Sequence, residues 1–171
     1  ADYYYINKSS LPKVYGGFNT SLSWKGFDLS AIFAYSIGGY IYNRDITMIL
    51  HNGSLEGRDW STEILKRWTP DNRYTDVPAL STTSNDWNSA STRFLQNNSY
   101  MRLKNLTLSY NLPKQWISKL SLSSVQVYVQ GDNLFTIHRN QGLDPEQGIT
   151  GITYYRYPAM RTISGGINVS F

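Results

Sequence analysis

The sequence has 171 residues, 40% of them hydrophobic and 15% aromatic, with no cysteine and a formal charge of +4. That length admits one ordinary domain, the missing cysteines exclude a disulfide framework and thiolate metal sites, and no apolar run approaches the ~18 residues of a membrane-spanning helix. The basic residues, among them Lys8, Arg44, Arg58, Arg73, Arg139 and Arg156, are scattered through predicted loops, so no basic stripe suited to nucleic acid forms.

Five segments alternate apolar and polar residues with period two, the signature of strands with chemically distinct faces. The first, about Tyr15 to Trp24, sets Phe18, Leu22 and Trp24 against Asn19, Ser21 and Ser23. Lys25-Gly26 predicts a tight hairpin turn, with the glycine supplying positive φ. The second sets Phe27, Leu29, Ala31, Phe33, Tyr35 and Ile37 against a small or polar face that Ile32 interrupts. A long connection follows, about 41–99, in which Asp59-Trp60-Ser61 predicts a short capped helix with Trp60, Ile64, Leu65 and Trp68 near one face.

The third segment alternates Leu106, Leu108, Tyr110 and Leu112 with Asn105, Thr107, Ser109 and Asn111. Arg102 and Lys104 fall on its apolar parity, a position that is tolerated only near a membrane interface. Pro113 to Leu120 predicts one amphipathic turn. The fourth segment carries Val125, Val127 and Val129, then becomes irregular at Gly131-Asp132-Asn133, where a bulge or the membrane boundary is expected. After a second long connection, about 137–160, the fifth sets Ile163, Gly165, Ile167, Val169 and Phe171 against Thr162, Ser164, Gly166, Asn168 and Ser170.

Several segments reach the ~9–11 residues that cross a bilayer as tilted strands. Their polar faces carry hydroxyls and amides where a soluble sandwich would show Lys and Glu. Asp, Glu, Lys and Arg make up only 16% of the chain, below the ~25% usual in soluble proteins. The connections alternate short and long, as periplasmic turns and extracellular loops do in outer-membrane barrels. The expected fold is therefore all-β, an antiparallel transmembrane β-barrel. Five strands cannot close one, so residues 1–171 are expected to be part of a larger barrel. The lumen-facing candidates are Asn105, Thr107, Ser109, Asn111, Asp132 and Asn168. The competing reading is a secreted soluble β-sandwich that binds carbohydrate through loop aromatics.

Several motifs also resemble a known family. Val14-Tyr15-Gly16-Gly17-Phe18 with Lys25-Gly26-Phe27-Asp28-Leu29-Ser30, then Lys66-Arg67-Trp68-Thr69-Pro70-Asp71-Asn72, resemble segments of the SusC/RagA-type TonB-dependent transporters. The stretch Ser99 to Tyr110 resembles that family's most characteristic strand. Asp132-Asn133-Leu134-Phe135-Thr136, Gly142-Leu143-Asp144-Pro145-Glu146 and Tyr157-Pro158 continue the likeness in order. The resemblance implies the C-terminal portion of a 22-stranded outer-membrane barrel, with the plug and the TonB-contacting segment elsewhere. It also implies import of oligosaccharides or peptides; with no catalytic or metal motif in the sequence, neither enzymatic activity nor a cofactor is expected. The implied partners are a SusD-like surface lipoprotein, TonB and outer-membrane lipid. Phe171, with Ile163, Ile167 and Val169, matches the C-terminal signal read by the barrel-assembly machinery.

Trp60, Trp68, Trp87, Tyr154 and Tyr155 are the loop candidates for substrate or partner contact, because flat aromatic rings stack on sugars and other apolar faces. Asp144 and Glu146 read as a rigid turn in preference to a catalytic or calcium-binding pair. His51 and His138 stand without metal-ligand spacing, and no nucleophile elbow or phosphate loop is present.

Overall fold

The computed structural model describes residues 4–171 except 54, 56, 84, 85, 143, 147, 149 and 154. Its centre is an antiparallel sheet of five strands, β1 (Val14–Trp24), β2 (Phe27–Ile37), β5 (Tyr100–Asn111), β6 (Ser124–His138) and β7 (Thr162–Ser170), in the order β1-β2-β5-β6-β7. A smaller sheet pairs β3 (Tyr40–Tyr42) with β4 (Leu95–Asn97). Two short helices complete the regular elements named here, α1 (Arg44–Ile49) and α2 (Lys114–Ile117). Among the described residues no helix is long and apolar enough to cross a membrane.

The five long strands are those that the period-two alternation predicts. At Lys25-Gly26 both central residues have positive φ, 48° and 88°, the geometry of a type I′ hairpin that matches the twist of the flanking strands. Register is pinned across the apolar face by aromatic pairs. Phe18 stacks on Phe33 with ring centroids 4.7 Å apart, and Phe27 meets Tyr110 at 4.4 Å. The rows continue across the sheet, for example Leu22, Leu29, Leu108, Val129 and Gly165 in successive strands. Leu22, Leu29, Leu108, Val129 and Ile167 all remain exposed, so no second layer covers this face.

One expectation fails at the top of β5. Ile32 pairs with Asn105 but Phe33 pairs with Leu103, so Lys104 is an extra residue in a β-bulge. Because a one-residue slip exchanges faces, Leu103 and Met101 take the apolar parity while Arg102 turns to the polar face. Arg102 therefore leaves the apolar parity that uninterrupted alternation gives it. On the other side, β6 passes the same level through Asn133 and Leu134, with Asn133 at φ 52°. The irregularity expected after Gly131 is this place.

The connections sort by length between the two ends of the sheet. Lys25-Gly26 and residues 112–123, which include α2, lie at one end, and the long connections 38–99 and 139–161 lie at the other. Trp24, Tyr110, Trp116 and Phe171 all fall at the short-connection end. In the long connection, the predicted helix after Ser61 is a five-residue 3-10 turn, Thr62–Lys66, with the Ser61 hydroxyl accepting from the Glu63 N–H. Ile64 is buried and Leu65 points out, so the four apolar residues do not share one face. Pro70, nine residues after Ser61, and the Thr69-Asn72 turn leave no room for a longer helix. Helix α1 was not anticipated; Asn43 caps it, its side chain accepting from the Ile46 N–H.

Candidate functional site

The polar face of the sheet is a continuous hydrogen-bonded surface. Near the short-connection end a belt crosses all five strands. Ser23 donates to Asp28, Asn111 donates to Asp28 at 2.7 Å, Gln126 to Asn111 at 3.1 Å, and Asn168 to Gln126 at 3.3 Å. The alternation places these side chains on one face, and their amides act as donor and acceptor at once, so a ladder propagates from strand to strand. A second cluster stands higher on the wall. Asn105 donates to Asp132 at 2.8 Å, Thr107 donates to Asn105 at 2.9 Å, and Gln130 reaches both Asp132 oxygens at 3.3 Å. Ser109 accepts a longer bond from Gln126. All six candidates from the strands thus share this one face.

At the long-connection end the two connections interlock. The Tyr42 N–H donates to the Gly151 carbonyl at 2.7 Å, and the Thr153 N–H donates back to Tyr42 at 3.1 Å. Residues 151–153 thereby run parallel beside β3. Asn43 reaches the Gln141 carbonyl at 2.9 Å, and Asp45 accepts from the Tyr155 N–H at 3.1 Å. Tyr155 sits at φ 42°, an uncommon backbone for an aromatic residue, with its ring exposed. A cleft of about 360 Å³ opens between this assembly and the wall, with Tyr15, Ser36, Tyr40, Asn98, Tyr100 and Pro145 among its lining residues.

The loop aromatics differ in their commitments. Trp87 donates its indole N–H to the Leu50 carbonyl at 2.8 Å and carries the Arg93 guanidinium 3.4 Å from its ring centroid, which occupies one face of the ring. Trp60 donates to His51 at 3.0 Å yet stays partly exposed, as does Trp68. Tyr154 lies outside the described residues. Burial pushes the pKa of His51 down, the Arg58 carbonyl opposes this, and the Arg58 charge adds to it. Its Nδ1 also faces the Gly53 and Leu55 N–H groups at 3.3 and 3.4 Å, so that nitrogen carries no proton.

A charged cluster ties the wall to the second connection. Arg102, 3% exposed, donates from Nε to Thr136 at 2.9 Å, from Nη1 to Glu146 at 2.7 Å and from Nη2 to Asp144. Lys104 reaches the same Glu146 carboxylate at 2.6 Å. Asp144 also accepts from the Ala159 N–H at 2.7 Å and the Glu146 N–H at 2.9 Å. Burial alone would raise the Asp144 pKa. The bonds from Arg102, Ala159 and Glu146, with the Arg102 charge, outweigh it and hold the carboxyl below its ordinary value. Sequence reasoning took Asp144 and Glu146 for a turn and did not connect them to Arg102. The available signal was a charge on apolar parity, which implies a register break.

No protein-family model matches the chain. It is 34% identical to the TonB-dependent receptor P3 of Formosa agariphila over 91% of this chain and 16% of the relative. It is 28% identical to the TonB-dependent receptor SusC of Bacteroides thetaiotaomicron over 98% of this chain and 16% of the relative. Among solved structures, the RagAB peptide transporter superposes with a TM-score of 0.84 at 36% identity, over 97% of this chain and 18% of that one. The chain thus spans about a sixth of the length of the curated relatives it matches.

Proposed function

The chain is a segment of a SusC/RagA-type TonB-dependent receptor of the outer membrane, and on that premise we propose that it supplies barrel wall and extracellular loops to an importer of oligosaccharides or peptides. The observation that carries this reading is the two-faced sheet: an uncovered apolar face behind a hydrogen-bonded polar one. The apolar face meets lipid, and the polar face lines the lumen. Strands β1 and β7 each have one unpaired edge among the described residues, which hydrocarbon does not tolerate. Further strands therefore continue the sheet on both sides, toward the ~22 strands of this transporter class.

The short connections are periplasmic and the long ones extracellular. Trp24, Tyr110, Trp116 and Phe171 then form part of the periplasmic aromatic girdle, and Phe171 with Ile163, Ile167 and Val169 presents the assembly signal. A SusD-like lipoprotein closes over the extracellular mouth, and TonB engages the receptor outside these residues. The RagAB peptide importer, 36% identical to this chain, makes peptides the first substrates to try. A soluble sandwich fits less well, because it requires a second sheet over the apolar face.

Uptake by cells carrying the complete receptor tests the proposal, with a dye-labelled tryptic peptide mixture and a labelled oligosaccharide mixture offered separately. Energy-dependent uptake of one class, lost on deleting the receptor gene and on collapsing the inner-membrane proton gradient, is expected. Uptake of both classes that is unchanged by either treatment would overturn it.

A further inference from the structure

The charged cluster on the polar face does something that an ordinary wall ion pair does not. A single wall residue, Arg102, grips the second long connection at the two acidic residues that flank Pro145, Asp144 and Glu146. Asp144 in turn holds the Ala159 N–H fifteen residues further on. The descending stem of the loop is therefore tied to its ascending stem through the same carboxylate that the wall arginine holds. Next to it, the Asn98 amide donates to the Pro145 carbonyl at 2.9 Å, and Pro145 is fully buried. Between the two tied stems, residues 151–153 pair with β3, and the exposed rings of Tyr155 and Tyr157 follow.

This grip depends on the bulge. If Lys104 paired as an ordinary residue of the ladder, alternation would send Arg102 to the apolar face and away from the loop. A bulge that re-aims one side chain is a recurrent device beside functional sites. The forked guanidinium also suits the task. It makes three directional bonds at once, to Thr136, Asp144 and Glu146, which an ammonium on a flexible stem does not reproduce.

We propose that Arg102 is a positioning residue for transport: acting through Asp144, it holds the extracellular loop 139–161 against the barrel wall, so that the loop's exposed aromatics meet arriving substrate at a fixed place. The inference rests on the transporter reading for its role in uptake, while the clamp itself stands on the geometry. Loss of the clamp leaves the wall paired on both sides of β5. It therefore weakens substrate capture more than the maximal rate.

The test uses the complete receptor in outer membranes, with Arg102→Met and Arg102→Lys. Barrel assembly is read from heat-modifiable gel migration. Loop docking is read from trypsin cleavage on intact cells, as C-terminal fragments beginning at Tyr157 or Thr162, since a docked segment is cut only when it opens locally. Uptake is read with the dye-labelled tryptic peptide mixture. For Arg102→Met the expected result is an assembled barrel, loop cleavage faster by about tenfold, and a half-saturating concentration raised severalfold with a maximal rate within about twofold of wild type. Arg102→Lys, which keeps the charge and loses the fork, is expected between the two. Cleavage of Arg102→Met at the wild-type rate would overturn the clamp, as would loss of assembly in both variants. Faster cleavage with unchanged uptake kinetics would overturn the positioning role. If the wild-type receptor takes up no peptide, the substrate assignment fails, and the cleavage readout still decides the clamp.

Discussion

His51 and Asp144 are loop groups whose surroundings set a pH window, and they set different ones. The His51 pKa is depressed, with burial the leading cause, so its contribution is complete above the unfolded value of about 6.5 and declines as pH falls below it. Protonation at Nδ1 would place a hydrogen against the Trp60, Gly53 and Leu55 N–H groups. Asp144 is also depressed, yet as an acid it keeps its contribution until pH falls below about 4. Hydrogen-exchange protection of the Gly53 and Leu55 amides is therefore expected to fall between about pH 7 and pH 5, while that of the Ala159 amide holds. Equal loss at both places over that range would contradict the assignment.

Among the elements, β5 shows best what sequence can and cannot reveal. Its lower half, Asn105 to Asn111, is a strict alternation, and both its face and its register follow from it. Its upper half is not legible in the same way, because a bulge changes parity without changing composition. Only the misplaced charges of Arg102 and Lys104 mark it. Deleting Lys104 removes the bulge and joins Leu103 directly to Asn105, which keeps Leu103 on the apolar face and Arg102 on the polar one, so folded, heat-modifiable barrel is expected to persist. Lys104→Ala keeps the extra residue and is expected to assemble normally. Loss of heat-modifiable barrel on deleting Lys104, with Lys104→Ala assembled, would contradict this reading of the faces. The long connections were less legible for a related reason. Their short elements are held by contacts from outside the local segment, α1 behind its Asn43 cap by the second connection and the 3-10 turn behind Ser61 by Ile49, Asn72 and Thr75, and local propensity alone does not fix them.

For the whole molecule, the two faces carry the account. A strand of 11 residues is about 36 Å long at ~3.3 Å per residue, and a tilt of about 45° leaves ~26 Å along the membrane normal, close to the ~25 Å apolar band of such barrels. The alternation disclosed this in the sequence, whereas the loop-to-wall clamp did not show there because its partners are 42 and 44 residues apart. Leu108, midway along the apolar face, is a sensitive position. Leu108→Arg is expected to destabilise the assembled barrel by about 2–4 kcal/mol, seen as a loss of heat-modifiable protein, while Thr107→Arg on the polar face is expected to leave most of it.

Spin labels placed one at a time at Leu108, Val129, Thr107 and Gln130 of the complete receptor in lipid bilayers test the central claim most directly. Labels at Leu108 and Val129 are expected to collide freely with dissolved oxygen and to be shielded from a water-soluble nickel complex, and labels at Thr107 and Gln130 to show the reverse preference. Nickel access at Leu108 and Val129 matching that at Thr107 and Gln130 would contradict a sheet with one face in lipid.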